Sequence, residues 1–334
     1  MTTRIGINGF GRIGRSILRA QRKDPLFADL AIVAINDPMP PETARHLLHY
    51  DSVHGNFPAQ VNTTGHGLEI DGEPISYFGA GVPEAIPWQA ARVDYVVEAS
   101  GRFIQPDAVR GHLQGGARRV VLTAPANGEM RTLVMGINES EYDPRYDRIV
   151  SNASCSTNCL AHTAKVLLDH FGLEHGMITT VHAYTADQSL LDRPHADLRR
   201  ARAAGVSMIP TKTGAAAAIG RVLPALKGRL DGLAVRVPTP DVSLMDLVAQ
   251  VKRPCSVEEV HAAYRASANR YLGYSDQPLV SVDYVGNTHS AVYDADTTRV
   301  IGNTVKVMSW YDNEWGYANR VLDLLRYMVA RELA

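Results

Sequence analysis

The sequence predicts an α/β chain in two parts: a doubly wound, mostly parallel sheet, followed by an α+β domain with a mainly antiparallel sheet. Up to about residue 150, short apolar runs alternate with helical segments, which is typical of parallel sheets. Beyond that point, strand-like runs follow one another with fewer helices between them. The 334 residues are 45% hydrophobic and 21% charged, which is enough to bury two moderate cores.

The first pair of predicted elements is a strand at residues 4–8 and a helix at residues 11–22. Between them, Gly9, Gly11 and Gly14 form the pattern Gly-x-Gly-x-x-Gly. Such glycines allow a tight turn and a close approach of the backbone to a pyrophosphate, and the helix N-terminus offers N–H donors to phosphate. Because the pattern lies between a strand and a helix, it predicts a Rossmann-type dinucleotide site rather than a surface turn.

An acidic residue follows the second predicted strand. The apolar run at residues 30–35 ends at Asn36 and Asp37, where the second parallel strand of such a unit would end. The Asp37 carboxylate can accept hydrogen bonds from an adenosine ribose, although an incidental acid at a strand end is the alternative. Its charge would repel a 2′-phosphate, so NAD is favoured over NADP as the cofactor.

The remaining elements of the first part follow from apolar runs and turn residues. We expect a helix at residues 44–50 and 108–113, a hairpin at 68–78 turning at Asp71 and Gly72, and strands at 93–98, 119–122 and 133–137. Ser100, Gly101 and Thr123 follow two of these strands, on the edge where open α/β sheets bind ligands. They are candidate cofactor contacts, although turns without a ligand contact fit the pattern equally well.

The second part contains longer runs with strand character. A helix is predicted at residues 160–171, and strands are predicted at 177–183, 233–237, 243–251, 279–283, 289–293 and 304–309. Ser256 and Glu259 form a capping box for a further helix, and an amphipathic helix at about 315–331 follows the last strand.

Cys155 is the most informative candidate for chemistry. It lies directly before the predicted helix, where free N–H groups favour a thiolate, the nucleophilic form. His182, at the end of a predicted strand, can pair with it as a base. A thiolate, a histidine and a nicotinamide fold together predict attack on an aldehyde, giving a hemithioacetal and then a thioester. The alternatives are a buried small cysteine and a structural histidine.

Basic residues suggest sites for anions. Arg200 and Arg236 match the geometry of phosphate, and Thr213 with Gly214 at a helix start exposes N–H groups. A solvated helix face is the alternative for residues 197–202.

Several function classes are not supported by the composition. The formal net charge is −1, so no overall field attracts nucleic acid or a membrane surface. Three cysteines do not build a disulfide framework, and the four-residue spacing of Cys155 and Cys159 is not that of zinc sites, so no metal is expected. No secretory segment or membrane-length apolar run is present, and we expect a cytoplasmic protein.

These motifs resemble those of the phosphorylating glyceraldehyde-3-phosphate dehydrogenases over essentially the whole chain. The resemblance is carried by residues 7–15 (INGFGRIGR), 151–159 (SNASCSTNC), 180–188 (TVHAYTADQ), 236–240 (RVPTP) and 310–317 (WYDNEWGY). It implies an NAD domain of residues 1–154 joined by the C-terminal helix 315–334, a catalytic domain of residues 155–314, and a homotetramer. The implied reaction is NAD-dependent oxidation of D-glyceraldehyde 3-phosphate with capture of inorganic phosphate.

The resemblance also implies roles for individual residues. Cys155 is similar to the nucleophile and His182 to the general base. By this resemblance Arg12, Ile13 and Asp37 match NAD contacts, and Asn313 matches the residue that holds the nicotinamide carboxamide. The complete predicted NAD site also contains Gly9, Gly11, Gly14, Ser100, Gly101, Thr123 and Tyr317. Thr185, Asp187, Arg200 and Arg236 resemble the site for the substrate phosphate. Ser154, Ser156, Thr213 and Gly214 resemble the site for the attacking phosphate.

Two other functions remain open at this point. Residues 288–291 and 297–300 resemble the sister erythrose-4-phosphate dehydrogenases, in which water attacks the acyl-enzyme, whereas residues 183–185 and 211–214 follow the glyceraldehyde type. A catalytically idle, redox-sensitive NAD-binding scaffold with an oxidisable Cys155 is the third hypothesis.

Overall fold

The structure is a computed structural model that describes residues 2–333. These residues form two compact units. Unit 1 comprises residues 2–135, 139–153 and 318–333, and unit 2 comprises residues 136–138 and 154–317. The helices are α1 (Arg12–Lys23), α2 (Pro41–His49), α3 (Pro106–Gln114), α4 (Cys155–Phe171), α5 (Ala215–Val222), α6 (Val257–Ser267) and α7 (Trp315–Leu333).

Unit 1 is built on a mostly parallel sheet, as predicted. Within the described chain its strands are β1 (Thr3–Asn8), β2 (Leu30–Asn36), β3 (Val61–Thr64), β4 (Gly67–Ile70), β5 (Glu73–Phe78), β6 (Tyr95–Glu98), β7 (Arg119–Leu122), β8 (Arg131–Thr132) and β9 (Ile149–Ser151). Their order is β3-β4-β5-β2-β1-β6-β7-β9-β8, and only the β3–β4 and β4–β5 pairs are antiparallel. Because β1 pairs with β2 on one side and β6 on the other, the strand order reverses there, where such sheets bind ligands.

The hairpin of unit 1 shows how local sequence sets the backbone. Asp71 and Gly72, between β4 and β5, both have positive φ, at 50° and 82°. Two such residues form the primed turn whose twist matches that of the strands, so the predicted hairpin is confirmed.

Unit 2 contains a mainly antiparallel sheet, also as predicted. Its strands within residues 154–317 are β10 (Leu173–Ala183), β11 (Ile209–Lys212), β12 (Leu230–Val237), β13 (Ser243–Val251), β14 (Leu272–Ser275), β15 (Ala291–Ile301) and β16 (Thr304–Tyr311). Their order is β11-β12-β10-β13-β16-β15-β14, and only β10–β12 and β14–β15 are parallel. Helix α4 packs on this sheet against β10, β13, β15 and β16. The predicted capping box before α6 is present, with Ser256 and Glu259 bonding each other's backbone N–H groups.

Two predicted strands are wrong. Residues 133–137 form no strand, because Gly136 turns the chain at a φ of 81°. Residues 279–283 lie partly in a short 3-10 helix (Ser281–Tyr284), and Val280 and Val282 are exposed rather than buried in a sheet. The apolar run at 289–293 marks only the start of β15. Strands β3, β8, β9, β11 and β14 gave no clear sequence signal.

None of the helices within residues 2–333 combines the length and the apolar character that a membrane crossing requires.

Candidate active site

The glycine turn of unit 1 has the geometry of a dinucleotide site. A Cβ atom on Gly9 would lie 2.4 Å from the Ser100 nitrogen, and one on Gly14 would lie 2.2 Å from the Gly9 oxygen. Both positions therefore require glycine for packing. A Cβ on Gly11 would meet no atom within 4 Å, and Gly11 caps α1 without a side-chain hydrogen bond. The first turn of α1 thus presents its N–H groups beside open space, which fits a pyrophosphate.

Asp37 follows β2 and is bonded to this turn. Its Oδ2 accepts a 2.7 Å hydrogen bond from the Phe10 N–H, and its Oδ1 accepts a 2.9 Å bond from the Met39 N–H. The carboxylate is half-buried and its position is set by the backbone on both sides. It therefore provides a fixed acceptor beside the glycine turn, as ribose recognition requires.

Arg12, a predicted NAD contact, already has a partner. Its guanidinium forms an ion pair with Asp51, whose side chain is buried. Burial would raise the pKa of Asp51, but hydrogen bonds from the backbone N–H groups of His54 and Val53 and from Arg12 lower it to about 2. Arg12 is thus held at the start of α1, next to the half-buried Ile13.

A buried glutamate connects the next two candidate segments. Glu98, at the end of β6, is 1% exposed, and its carboxylate accepts hydrogen bonds from the Asn8 amide, from the Ser100 N–H and hydroxyl, and from His112 Nε2. The other ring nitrogen of His112 accepts from Trp88 Nε1 at 3.1 Å, which assigns the proton to Nε2.

This network fixes the ends of β1 and β6. The Ser100 segment is held beside Gly9, and Gly101 takes a positive φ of 68°. Thr123, after β7, donates two 3.0 Å hydrogen bonds to the Glu98 carbonyl. The sequence interpretation found Ser100, Gly101 and Thr123 from their place after strands, but not Glu98 or His112, which are distant in sequence and meet only in the fold.

In unit 2, the start of α4 brings Cys155 to His182. Ser154 caps this helix by accepting a 3.1 Å hydrogen bond from the Thr157 N–H. The partly exposed Cys155 is the first helical residue, and its Sγ lies 3.6 Å from His182 Nε2. His182 is 4% exposed and comes from β10, against which α4 packs.

Arg236 lies beside His182 because the two residues are register partners in the parallel pair β10–β12. Its Nη1 is 2.9 Å from His182 Nδ1 and donates a 3.0 Å hydrogen bond to the Ala183 carbonyl. That carbonyl also lies 2.7 Å from Nδ1. The carbonyl oxygen can only accept and Arg236 Nη1 can only donate, so Nδ1 bonds the carbonyl when it carries the imidazole proton and bonds Arg236 when it does not. The shorter contact is the one to the carbonyl, and a proton on Nδ1 leaves the Nε2 lone pair facing the thiol.

The electrostatic state of the pair differs from the expectation of a standing thiolate. Burial raises the pKa of the Cys155 thiol, and the charge of Arg236 and hydrogen bonds with Ser156 only partly oppose this effect. Burial and the positive charges of Arg236 and Arg200 lower the pKa of His182 to about 3. Burial therefore favours a neutral thiol beside a neutral imidazole in the substrate-free pair.

A chain of hydroxyls lies behind this pair. The Tyr311 hydroxyl bonds Ser156 Oγ at 2.9 Å and Thr180 Oγ1 at 2.7 Å, and its ring meets His182 edge-on. Ser156, predicted to face a phosphate, is 6% exposed with its hydroxyl engaged by Tyr311, so its placement differs from that expectation. Thr180 was missed, although it lies on the same strand face as His182, two residues earlier.

A second group of polar side chains surrounds Arg200. Its guanidinium pairs with Asp187 and donates a 2.9 Å hydrogen bond to Thr211 Oγ1. Arg200 also lowers the pKa of both His182 and Arg236, so its charge acts on the Cys155–His182 pair.

The other predicted anion ligands make only local hydrogen bonds among the described residues. The Thr185 N–H donates to Gln188 at 3.3 Å. Thr213 Oγ1 accepts from the Ala215 N–H at 3.2 Å, and Gly214 caps α5 without a side-chain bond. Within residues 154–317, neither Thr213 nor Gly214 forms a hydrogen bond with Arg200.

Asn313 and Tyr317 follow the last strand of the sheet. Asn313 is 6% exposed, and its Oδ1 accepts a 2.7 Å hydrogen bond from the Ser243 hydroxyl. Tyr317, in the first turn of α7, is 4% exposed.

A glycine turn built for a pyrophosphate, together with a thiol–imidazole pair under the charge of two arginines, defines the class of nicotinamide-dependent dehydrogenases that work through a cysteine.

Comparison with known proteins identifies the family within this class. Residues 3–106 match the model of the glyceraldehyde 3-phosphate dehydrogenase NAD binding domain, and residues 154–313 match that of the C-terminal domain. The chain is 52% identical over 338 residues to glyceraldehyde-3-phosphate dehydrogenase of Geobacillus stearothermophilus, covering 100% of both chains. It is 51% identical over 336 residues to glyceraldehyde-3-phosphate dehydrogenase 1 of Bacillus cereus, covering 99% of this chain and 100% of the relative. The chain therefore belongs to the glyceraldehyde 3-phosphate dehydrogenase family.

Proposed function

We propose that this protein catalyses the NAD-dependent oxidation of D-glyceraldehyde 3-phosphate, with inorganic phosphate as co-substrate, to 1,3-bisphosphoglycerate. The observation that carries the proposal is the 3.6 Å approach of Cys155 Sγ to Nε2 of His182. The full-length similarity to dehydrogenases of that name supports the choice of substrate.

NAD binding is assigned to the domain of residues 1–154 with the helix at 315–334. Open space at Gly11, the uncapped start of α1 and the fixed carboxylate of Asp37 fit a dinucleotide. The residues that would hold it are Gly9, Gly11, Arg12, Ile13, Gly14, Asp37, Ser100, Gly101, Thr123, Asn313 and Tyr317. When bound, NAD supplies the acceptor for the hydride that leaves the substrate carbon.

The chemistry at the sulfur belongs to residues 155–314. His182 Nε2 takes the thiol proton while Cys155 Sγ forms a bond to the aldehyde carbon, and it passes the proton to the carbonyl oxygen, which gives a hemithioacetal. When that carbon is oxidised by loss of its hydride, His182 takes the hydroxyl proton, and a thioester remains on Cys155. A phosphate oxygen then attacks the thioester carbon, the C–S bond breaks, and the sulfur leaves as a thiolate that recovers its proton.

Two anion sites complete the proposal. Thr185, Asp187, Arg200 and Arg236 are assigned to the substrate phosphate, and Ser154, Ser156, Thr213 and Gly214 to inorganic phosphate, with Ser156 contributing its hydroxyl only after leaving Tyr311. An anion on Arg236 would also offset the positive charge that lowers the pKa of His182, and so make this residue a better base when substrate is present.

We also assign a homotetramer in the cytoplasm. The exposed apolar side chains of Leu190, Leu191, Leu198, Val206 and Met208, all within one segment of unit 2, support a subunit interface there. The three free thiols of the chain fit a reducing compartment.

A steady-state assay that varies aldehyde, dinucleotide and phosphate tests the proposed function. We expect NADH formation from glyceraldehyde 3-phosphate to require phosphate, to disappear in Cys155→Ser, and to persist in the matched control Cys255→Ser, whose half-buried thiol lies outside the site. Phosphate-independent turnover with erythrose 4-phosphate as the better substrate would support the sister enzyme instead. Absence of turnover with either aldehyde, together with intact NAD binding, would support the scaffold.

A further inference from the structure

Ser243 lies between the strand that carries His182 and the proposed nicotinamide ligand Asn313. It is the first residue of β13 and is 1% exposed. Because β13 and β16 are antiparallel and Ser243 is the register partner of Tyr311, the start of β13 meets the end of β16, two residues before Asn313. Its hydroxyl contacts both neighbours: the Ala183 N–H at 3.1 Å and the Asn313 Oδ1 at 2.7 Å.

These two hydrogen bonds have a fixed direction. A backbone N–H can only donate, so the Ser243 oxygen accepts from Ala183. The hydroxyl proton of Ser243 is then available, and the atom of Asn313 that faces it must be an acceptor. If the Asn313 amide were turned by half a rotation, its NH₂ group would face an oxygen that already receives a donor, and the Ser243 proton would have no acceptor there.

The consequence concerns the other side of the amide. With Oδ1 held by Ser243, the Nδ2 donor of Asn313 points away from it. Nδ2 makes no hydrogen bond within residues 2–333. Because it is also not a buried atom without a partner, it is accessible to solvent. A donor of this kind is ready for the carbonyl oxygen of a ligand.

We propose that Ser243 is a positioning residue that selects the orientation of the Asn313 amide, so that Asn313 presents a hydrogen-bond donor, and not an acceptor, to the carboxamide of the nicotinamide. This inference rests on the proposed role of Asn313 in NAD binding. The same Ser243 hydroxyl also accepts a hydrogen bond from the Ala183 N–H, and the Ala183 carbonyl contacts the His182 ring. One side chain therefore helps to position both Asn313 and His182.

The test compares two dinucleotides by calorimetric binding to the substrate-free protein. NAD carries a carboxamide with a carbonyl acceptor and an NH₂ donor. In 3-acetylpyridine adenine dinucleotide a methyl group replaces that NH₂, so only the acceptor remains. The wild-type donor serves both ligands. In Ser243→Ala the Asn313 amide is free to turn, and its oxygen then accepts from NAD but meets the methyl group of the analogue. An amide that occupies both orientations equally presents its donor half of the time, so we expect the Kd of the analogue to rise about twofold more than that of NAD.

Two further variants calibrate the result. Asn313→Asp presents only an acceptor and should discriminate against the analogue at least as strongly as Ser243→Ala. Ser290→Ala removes a hydroxyl that is equally buried in unit 2 but has no hydrogen-bond partner among residues 2–333, and it should leave the ratio of the two Kd values unchanged.

The outcomes separate the inference from the proposed function. An unchanged Kd ratio in Ser243→Ala contradicts the inference. If Ser243→Ala raised the Kd of both dinucleotides equally and changed the pH profile of Cys155 alkylation, Ser243 would support His182 alone. This result would also contradict the inference. Failure of the wild-type protein to bind either dinucleotide contradicts the proposed function itself.

Discussion

Replacing Arg236 with glutamine should raise the pKa of His182 without removing its ability to act as a base. Arg236 Nη1 lies 2.9 Å from His182 Nδ1, and its positive charge is the second cause, after burial, of the low pKa of the imidazole. Glutamine is two bonds shorter, so its amide lies near the position of the arginine Nε, and it carries no charge. The substitution therefore removes the charge together with the Nη1 contacts to the His182 ring and the Ala183 carbonyl.

The structure bounds the size of this effect. Two unit charges about 4 Å apart interact with ~4 kcal/mol at an effective dielectric constant of ~20, which is an upper limit here. The whole decrease takes the pKa of His182 from 6.5 to about 3, and burial is the larger cause. Arg236 contributes less than burial does, so we expect the pKa of His182 in Arg236→Gln to rise but to stay below its ordinary value of 6.5. His182 stays neutral at pH 7 in both proteins.

The titration can be followed by NMR of histidine ring carbons in the substrate-free protein, with His182→Asn to assign the signal. Alkylation of Cys155 by iodoacetamide gives a second readout: it should slow at pH 7, because the same charge lowers the pKa of the thiol. Inorganic phosphate should raise the pKa of His182 in the wild-type protein and have a smaller effect in the variant.

The matched control is Arg229→Gln. Arg229 is exposed and directly precedes β12, so it lies seven residues, or roughly 23 Å, from Arg236 along the same strand. This distance exceeds the Debye length of about 10 Å at 0.1 M salt, so the control should titrate like the wild type. If the His182 midpoint of Arg236→Gln stayed near that of the control, burial alone would explain the low pKa and our electrostatic argument would be wrong.

Three further predictions concern stability and cofactor choice. Burial and the charges of Asp312 and Glu314 raise the pKa of Asp241 to about 9. The pKa of Asp241 is higher in the folded than in the unfolded protein, so the contribution of this residue to stability falls as the pH rises from about 4 to about 9. Asp241→Asn should therefore raise Tm more at pH 8 than at pH 5. An equal gain at both pH values would contradict this prediction. Glu332 accepts hydrogen bonds from Arg119, Tyr95 and Tyr142. Glu332→Gln should therefore lower the free energy of unfolding by about 1–3 kcal/mol in urea titrations, and a loss below about 0.5 kcal/mol would contradict a stabilising role of these hydrogen bonds. Asp37→Ala should reduce the preference for NAD over NADP in kcat/KM, and an unchanged ratio would remove Asp37 from the ribose site.

Local sequence was sufficient where the chemistry of neighbouring residues sets the structure. The glycines before α1, the turn at Asp71 and Gly72 and the capping box before α6 are patterns of this kind, and the structure contains all three. The strands predicted from the apolar runs at 133–137 and 279–283 are wrong, because apolar character alone does not distinguish a strand from a buried or surface turn.

Contacts made by strand pairing were beyond the sequence patterns. The meeting of His182 with Arg236 depends on the register of β10 and β12, and that of Ser243 with Asn313 depends on the register of β13 and β16. The charge state of Cys155 also depends on how deeply the fold buries its thiol, which the sequence does not specify. Hydrogen bonds at the helix start and the charge of Arg236 lower the pKa of the thiol, but burial has the larger effect.

The Glu98 carboxylate has a consequence for the thermodynamics of ligand binding. It joins the ends of β1 and β6 to α3 through Asn8, Ser100 and His112, so these backbone segments cannot loosen one at a time without leaving a buried charge short of donors. The ligand edge of unit 1 is therefore rigid before any dinucleotide arrives. These segments therefore lose little conformational entropy when a dinucleotide binds, and most of the free energy of the contacts contributes to affinity.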